Sequence, residues 1–283
     1  MPQSMLTIRE RLRTVASIRK ITNAMKLIAS SRYSRSRNLL DAALRYGAQM
    51  DRCLADCFHS VDLSSQNLPT CMQVNDTDRD LYIIVSSTLG LCGGYNNDLF
   101  KLVVRSIRRE DDALFIGEKG FRRFKETVNH SYTQFLSLGE SISFDRVNSF
   151  RHELDSLYRE NRYRYVYIVY TQPINSMSTR PVVEKLFPLS PVSGDQTESV
   201  TTITFDPDPQ SVTDLIVPHW LDSKLYRCLL QSIVSEQTNR RNSMDSATDS
   251  ADDLTRSLKL EYNKIRQAKI TQEITEVISG SNA

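Results

Sequence analysis

Residues 8–32 read IRERLRTVASIRKITNAMKLIASSR. Apolar side chains fall at Ile8, Leu12, Val15, Ile18, Ile21, Met25 and Ile28, always three or four residues apart. That spacing lies near the coiled-coil period and draws a narrow stripe along a helix, whereas a half-buried strand would alternate every second residue. Neither Gly nor Pro interrupts residues 3–46, and the same holds for residues 219–279. Breakers end helices, so two windows this long predict two long helices, one at each end of the chain.

The first helix, over residues 1–60, spans roughly 80 Å at 1.5 Å per residue, and the second, over 210–283, on the order of 100 Å. Pro218 either kinks the second helix or restarts it. Its apolar positions are Leu221, Leu225, Leu229 and Ile233, then Leu254, Leu258, Tyr262 and Ile265, and finally Ile270, Ile274 and Val277. A helix of this length cannot bury its stripe alone. The two are expected to pair as an antiparallel coiled coil, with the C-terminal end projecting past its partner.

Seven of the nine glycines and seven of the nine prolines lie between Pro69 and Pro209. This middle part, residues 78–206, alternates short apolar runs with helical ones. Leu81–Ser86 (LYIIVS), Ala113–Gly117 (ALFIG) and Tyr163–Thr171 (YRYVYIVYT) read as strands. Helices are expected near Asn96–Arg108, Lys119–Thr127 and Asp145–Asn161. Such alternation predicts a Rossmann-like α/β domain with a parallel or mixed sheet, inserted between the long helices.

Composition excludes several classes of function. The chain of 283 residues carries a net charge of +2, which makes no general claim on nucleic acid. No run approaches the roughly 20 apolar residues of a membrane span. Residues 1–40 hold nine Lys/Arg against Glu10 alone. That resembles a transit peptide in composition, but the regular apolar spacing and the continuation into further helix favour a folded element. The basic helix lacks base-reading or stacking side chains. Five scattered cysteines (Cys53, Cys57, Cys71, Cys92, Cys228) fit a reducing compartment. Cys53 and Cys57, one turn apart with His59 and Cys71 downstream, could be metal ligands but read more simply as buried helical thiols.

Gly90-Leu91-Cys92-Gly93-Gly94 follows a strand and opens a helix, where α/β folds bind phosphate. It matches neither dinucleotide nor P-loop spacing, no Lys follows, and Gly117 rather than an acid closes the next strand. The glycines are expected to permit a tight turn and close packing of helix on sheet. His59, His130, His152 and His219 are dispersed. Asp206-Pro207-Asp208-Pro209 reads as a rigid connector. No catalytic constellation, cofactor site or metal site emerges.

Six colinear stretches resemble the gamma subunit of F-type rotary ATP synthases. They are residues 8–32 with the core IRKITNAMK; LGLCGGYN at Leu89–Asn96; VYIVYTQPINSMSTRPVVEKLFPL from Val166; ITFDPDP at Ile203–Pro209; SEQTNRRNSMDSATDSA at Ser235–Ala251; and LKLEYNKIRQAKITQEITEVISG at Leu258–Gly280. The resemblance implies a non-catalytic rotor shaft inside a hexamer of alternating alpha and beta subunits, with a c-ring and delta/epsilon-type central-stalk subunits as further partners. It implies no nucleic acid, no cofactor and no homo-oligomer. Membrane association would come only through the c-ring, at the matrix side of the mitochondrial inner membrane or, alternatively, the cytoplasmic side of a bacterial plasma membrane.

By the same resemblance Arg266, Gln267, Thr271 and Glu273 would touch a beta subunit, and Met25 and Arg240 would lie near the coupling region. The turn with Gly90, Cys92, Gly93, Gly94 and Tyr95 and the connector with Phe205, Asp206 and Asp208 would both face the ring. The chain departs from the family pattern at Ser87, Thr88 and Leu89, where an Asp and a basic residue are usual, at Asp245, usually basic, and at Ser250, usually Asn. The paired cysteines of thiol-regulated relatives have no counterpart, which argues against redox gating.

Overall fold

A computed structural model describes residues 5–60, 72–140, 142–160, 162–189, 206 and 209–281. Helix α1 spans Met5–Ser60. The middle region gives β1 (Leu81–Val85), α2 (Tyr95–Ser106), β2 (Asp112–Ile116), α3 (Glu118–Phe124), β3 (Ser131–Tyr132), α4 (Phe144–Arg159), β4 (Val166–Pro173) and β5 (Thr179–Phe187). Helix α5 follows at Pro209–Ser281 and runs unbroken through Pro218. Pro209 opens it at the one place where a missing N–H costs nothing.

The chain divides into two compact units, Ser31–Asn239 and Met1–Ser30 with Arg240–Ala283. The division cuts through both long helices rather than around the inserted domain. The reason is burial. Leu54 and Phe58 of α1 and Val217, Trp220, Leu221, Leu225, Cys228 and Leu229 of α5 belong to the core of the sheet.

In the unit Ser31–Asn239 the five strands lie in the order β3-β2-β1-β4-β5. Pairing is parallel except for the antiparallel β4–β5 edge. Strand β1 is central, and all five of its side chains are buried, which is why LYIIV is apolar on both faces. One face packs Leu81, Ile83 and Val85 against Phe150, Leu154 and Tyr158 of α4 and against α1 and α5. The other packs Tyr82, Ile84 and Phe115 against Leu99 and Val103 of α2 and Phe124 of α3. Strands β3 and β5 were not distinguished from the residue pattern: β3 has two residues, and β5 is a half-exposed edge interrupted by Pro181.

Helix α5 runs in the same direction as β4. Lys224 pairs with Glu184 of β5, whose partner on β4 is Ile168. Further along, the Ser235 hydroxyl donates to the Thr171 carbonyl at 3.0 Å and the Asn239 amide to Thr179 Oγ1 at 2.8 Å. Helix α4 is locked to α5 by a buried pair, Arg151 Nε to Asp222 Oδ1 at 2.9 Å, with Asn148 Nδ2 donating to Asp222 Oδ2 at 3.0 Å. Helix α1 is held by Asp51, which accepts from both terminal guanidinium nitrogens of Arg227 at 2.9 and 3.0 Å and from Trp220 Nε1 at 2.6 Å. Gly47 makes room for this fork: a Cβ there would stand 2.4 Å from Arg227 Nε.

In the other unit the helix seam differs in part from the stripe expected from apolar spacing. Ile8, Val15, Thr22 and Ala29 are buried at strict seven-residue intervals, while Ile18, Ile21 and Ile28 are 48%, 56% and 57% exposed. The facing side of α5 buries Met244, Thr248, Ala251 and Leu258, and Leu254 points out. The expected stripe holds at Ile8, Leu12 and Val15 against Leu258, Tyr262 and Ile265; beyond Val15 the seam is small and polar, and apolar spacing alone follows a neighbouring face.

Candidate functional site

The glycine turn after β1 is built by a polar network around Ser87. Its hydroxyl donates to the Leu89 carbonyl at 2.7 Å, and its backbone N–H donates to Asn96 Oδ1 at 3.2 Å. Asn96 Nδ2 donates back to Ser87 Oγ at 2.8 Å and lies 3.3 Å from Cys92 Sγ. Ser87 is thus engaged entirely within the turn. The network holds Leu91 at a φ of 62° and Gly93 at 56°. Glycine suits the second position; at the first, a leucine sits in a left-handed conformation that costs about 1–2 kcal/mol.

Close packing of helix on sheet falls to other glycines. Gly117, at a φ of 92°, has no room for a side chain: a Cβ would lie 2.1 Å from the Ser86 carbonyl oxygen. Gly120 donates its N–H to Ser86 Oγ at 2.8 Å.

In a sheet of this order the ligand crevice lies where connections leave in opposite directions, here beyond the C-terminal ends of β1 and β4. That crevice is filled by α5. The Tyr95 hydroxyl lies 2.6 Å from Ser232 Oγ and donates to the Val85 carbonyl at 3.5 Å. Burial, followed by the nearby Glu236 carboxylate, holds the Tyr95 phenol well above its usual range.

Cys92 and Tyr95 therefore point inward and are not surface contacts, whereas Leu89, Leu91, Gly93 and Gly94 are exposed. The structure also separates the two groups expected to face one end. Tyr95 touches α5 at Ser232, 23 residues past Pro209, or about 35 Å along the helix. Asp206 is exposed at the other end of that span, while Phe205 and Asp208 lie outside the described residues. The turn thus stands far from the connector, at the end of the sheet toward which α5 runs. Leu89 and Leu91 share that end with Ile174 and Met177 on the β4–β5 hairpin, and all four are 60–75% exposed.

The remaining expected residues lie on the long helices. Met25 of α1 and Arg240 of α5 are half-buried. Arg266, Gln267, Thr271 and Glu273 fall on one exposed stretch of about two turns. There the Thr271 hydroxyl donates to the Gln267 carbonyl at 3.0 Å, and Glu273 lies 3.9 Å from Lys269. Every residue from 266 to 280 is exposed, including Ile270, Ile274, Val277 and Ile278. Helix α1 begins at Met5, and the last seam residue of α5 packed against its Ile8–Val15 cluster is Ile265.

Cys57 is buried and Cys53 exposed, so the pair does not form one buried thiol face; Cys71 lies outside the described residues. Burial pushes the Cys57 thiol up, and the Cys228 thiol up to about 12. Among the described residues no cluster of three or more His, Cys, Asp or Glu could hold a metal ion. Nor, among them, is any helix long and apolar enough to cross a membrane. Sequence reasoning missed Asp51–Arg227–Trp220 and Arg151–Asp222, whose members lie 71 to 176 residues apart.

A family model described as ATP synthase matches residues 4–283. The chain is 31% identical over 282 residues to an ATP synthase gamma chain of Clostridium acetobutylicum, covering 99% of this chain and 98% of the relative. It is 32% identical over 284 residues to that of Mycoplasma mobile, covering 96% of each. Among solved structures, a chain of the Euglena gracilis mitochondrial ATP synthase OSCP/F1/c-ring assembly in rotational state 3 is similar in fold. Its TM-score is 0.68 at 14% identity, over 99% of this chain and 94% of that one. A chain of the rotor from the same organism in rotational state 1 gives 0.65 at 14% identity, over 94% and 98%. On the family match and the identity along nearly the whole length, this chain belongs to the family of ATP synthase gamma chains.

Proposed function

We propose that this chain is the central rotor shaft of an F-type ATP synthase, which couples proton-driven rotation of a membrane c-ring to conformational cycling of a catalytic alpha/beta hexamer. The observation that carries the reading is the solitary helical end at residues 266–280, exposed on every side and bearing both an apolar set and a polar set. Such a surface is costly in water unless a partner sheathes it. The apolar set, Ile270 to Ile278, suits a sleeve that grips without angular preference. Arg266, Gln267, Thr271 and Glu273 supply the directional contacts that define resting angles.

The shaft acts by biasing its neighbours' conformations and makes no bonds itself. The filled crevice at Tyr95 and Ser232 supports this non-catalytic role. The exposed Leu89, Leu91, Ile174 and Met177 offer an apolar surface to a partner subunit. The connector at Asp206 addresses the c-ring and the delta/epsilon-type subunits. The reading places the complex at the matrix side of the mitochondrial inner membrane. The bacterial relatives favour a second reading, the cytoplasmic side of a bacterial membrane.

Native co-purification tests the proposal. One copy of this chain with three alpha and three beta subunits is expected, and a stable chain that recovers no such subunits overturns it. ATP binding by the purified chain, abolished by substitutions within Gly90–Gly94, would favour a nucleotide-using enzyme instead. Fractionation of the source cells decides between the two membranes.

A further inference from the structure

Within the unit formed by Met1–Ser30 and Arg240–Ala283, the helix seam changes character along its length. Near α1's start it is apolar, with Ile8, Leu12 and Val15 against Ala251, Leu258, Tyr262 and Ile265. Further along it narrows to Thr22 and Ala29 facing Met244 and Thr248. The Thr22 and Thr248 hydroxyls lie 2.8 Å apart, buried. On either side stands an ion pair: Arg19 Nε to Asp252 Oδ1 at 2.5 Å and Lys26 Nζ to Asp245 Oδ1 at 2.5 Å. Both cations are seven residues apart on α1 and both carboxylates seven apart on α5, so the pairs repeat with the period of the seam.

An apolar seam of this repeat tolerates sliding by one heptad; the charges penalise it. Sliding one way would let Lys26 meet Asp252 but set Arg19 against Lys259, a like-charge contact. Sliding the other way would let Arg19 meet Asp245 but set Lys26 against Thr238, so either slide keeps one ion pair and loses the other. Asp245 is matched in this chain by Lys26. A polar position inside a seam contributes little stability and much specificity of pairing.

We infer that Arg19–Asp252, Thr22–Thr248 and Lys26–Asp245 form a polar clamp that holds the two helices in one register where the seam has least apolar bulk. The clamp makes Lys26 and Asp245 positioning residues for torque transfer. Lys26 adjoins Met25, and Asp245 lies five residues beyond Arg240, so the clamp sets the angle at which both are presented. The torque clause rests on the rotor reading; the register clause does not.

The test uses the full chain with Thr22→Cys and Thr248→Cys introduced as a reporter of register, and separately the assembled complex. Lys26→Asp alone, or Asp245→Lys alone, is expected to slow disulfide formation between the reporters. The expected factor is about fivefold, what one half-exposed pair supplies when turned from attractive to repulsive. In the assembled complex the same single variants should lower proton pumping per ATP hydrolysed by a similar factor, with hydrolysis retained. Combining Lys26→Asp with Asp245→Lys should restore both readouts, which a general loss of folding could not do. Single variants that leave cross-linking unchanged overturn the clamp. Cross-linking that responds while coupling does not overturns its role in torque. Failure of the rotor reading would show separately, as absence of the hexamer in co-purification.

Discussion

Replacing Asp222 by Ala removes the acceptor of a salt bridge that no water reaches. The side chains of Arg151 and Asp222 are 7% and 1% exposed, and the guanidinium meets the carboxylate at 2.9 Å. The substitution strands a buried guanidinium, whose other contact here is a terminal nitrogen 2.8 Å from His152 Nε2. It also takes an acceptor from Asn148. Breaking one side of a buried pair costs about 3–5 kcal/mol, and the lost amide hydrogen bond adds about 1 kcal/mol. For a body of this size each kcal/mol is worth roughly 2–4 °C in Tm, so thermal denaturation followed by circular dichroism should show a fall of about 8–24 °C. The double variant Arg151→Met, Asp222→Leu removes both charges and keeps the volume; it should recover most of the loss. A single variant that melts within about 3 °C of the parent, or a double variant that melts no higher than the single, would refute the claim that this pair locks α4 to α5.

Gly117→Ala combines a φ of 92° with a Cβ 2.1 Å from a backbone oxygen; denaturant titration should show a loss above about 3 kcal/mol. Leu91→Gly relieves a left-handed leucine, so stability should stay level or rise by about 1 kcal/mol, while affinity for its partner subunits, measured in a pull-down titration, falls. Asp51 and Glu184 are both half-buried, and desolvation raises their carboxyl pKa values, but Arg227 with Trp220 and Lys224 with Tyr170 respectively outweigh it and hold them below their usual 3.8 and 4.5. Folded values that are depressed contribute stability that is present above those unfolded values and lost as pH falls through the folded ones. Acid titration of the Asp51→Asn variant should accordingly show a shallower loss of stability below about pH 4 than the parent.

How far the sequence could be read depended on whether a signal was local. The long helices were legible because an absence of Gly and Pro is visible without knowing any partner. Strand β1 was legible because LYIIV is buried on both faces and therefore apolar throughout. The seam of α1 beyond Val15 was not, because Thr22 and Ala29 occupy positions that apolar counting passes over, while Ile18, Ile21 and Ile28 attract it. A seven-residue count from Ile8 would have found Val15, Thr22 and Ala29. The separation of the glycine turn from the Asp206 connector could not be read either, since it follows from where Tyr95 meets α5, across 137 residues of sequence. The need for Gly47 inside a helix was equally hidden, because the Arg227 side chain that fills the space beside it comes from 180 residues further along the chain.

The boundary between compact units falls inside α1 near Ser30 and inside α5 near Asn239. Each long helix is therefore a member of two cores. Its backbone amides should not exchange with solvent as one cooperative block. Those below the boundary share the opening free energy of a sheet with a large apolar interior, and those above depend on a thin seam of small and charged residues. Deuterium uptake along α5 should climb in a step near residue 240 and again beyond 265, where none of the described residues covers it. One uninterrupted helix would thus report three tiers of protection, and the middle tier is the one that salt and charge substitutions can tune.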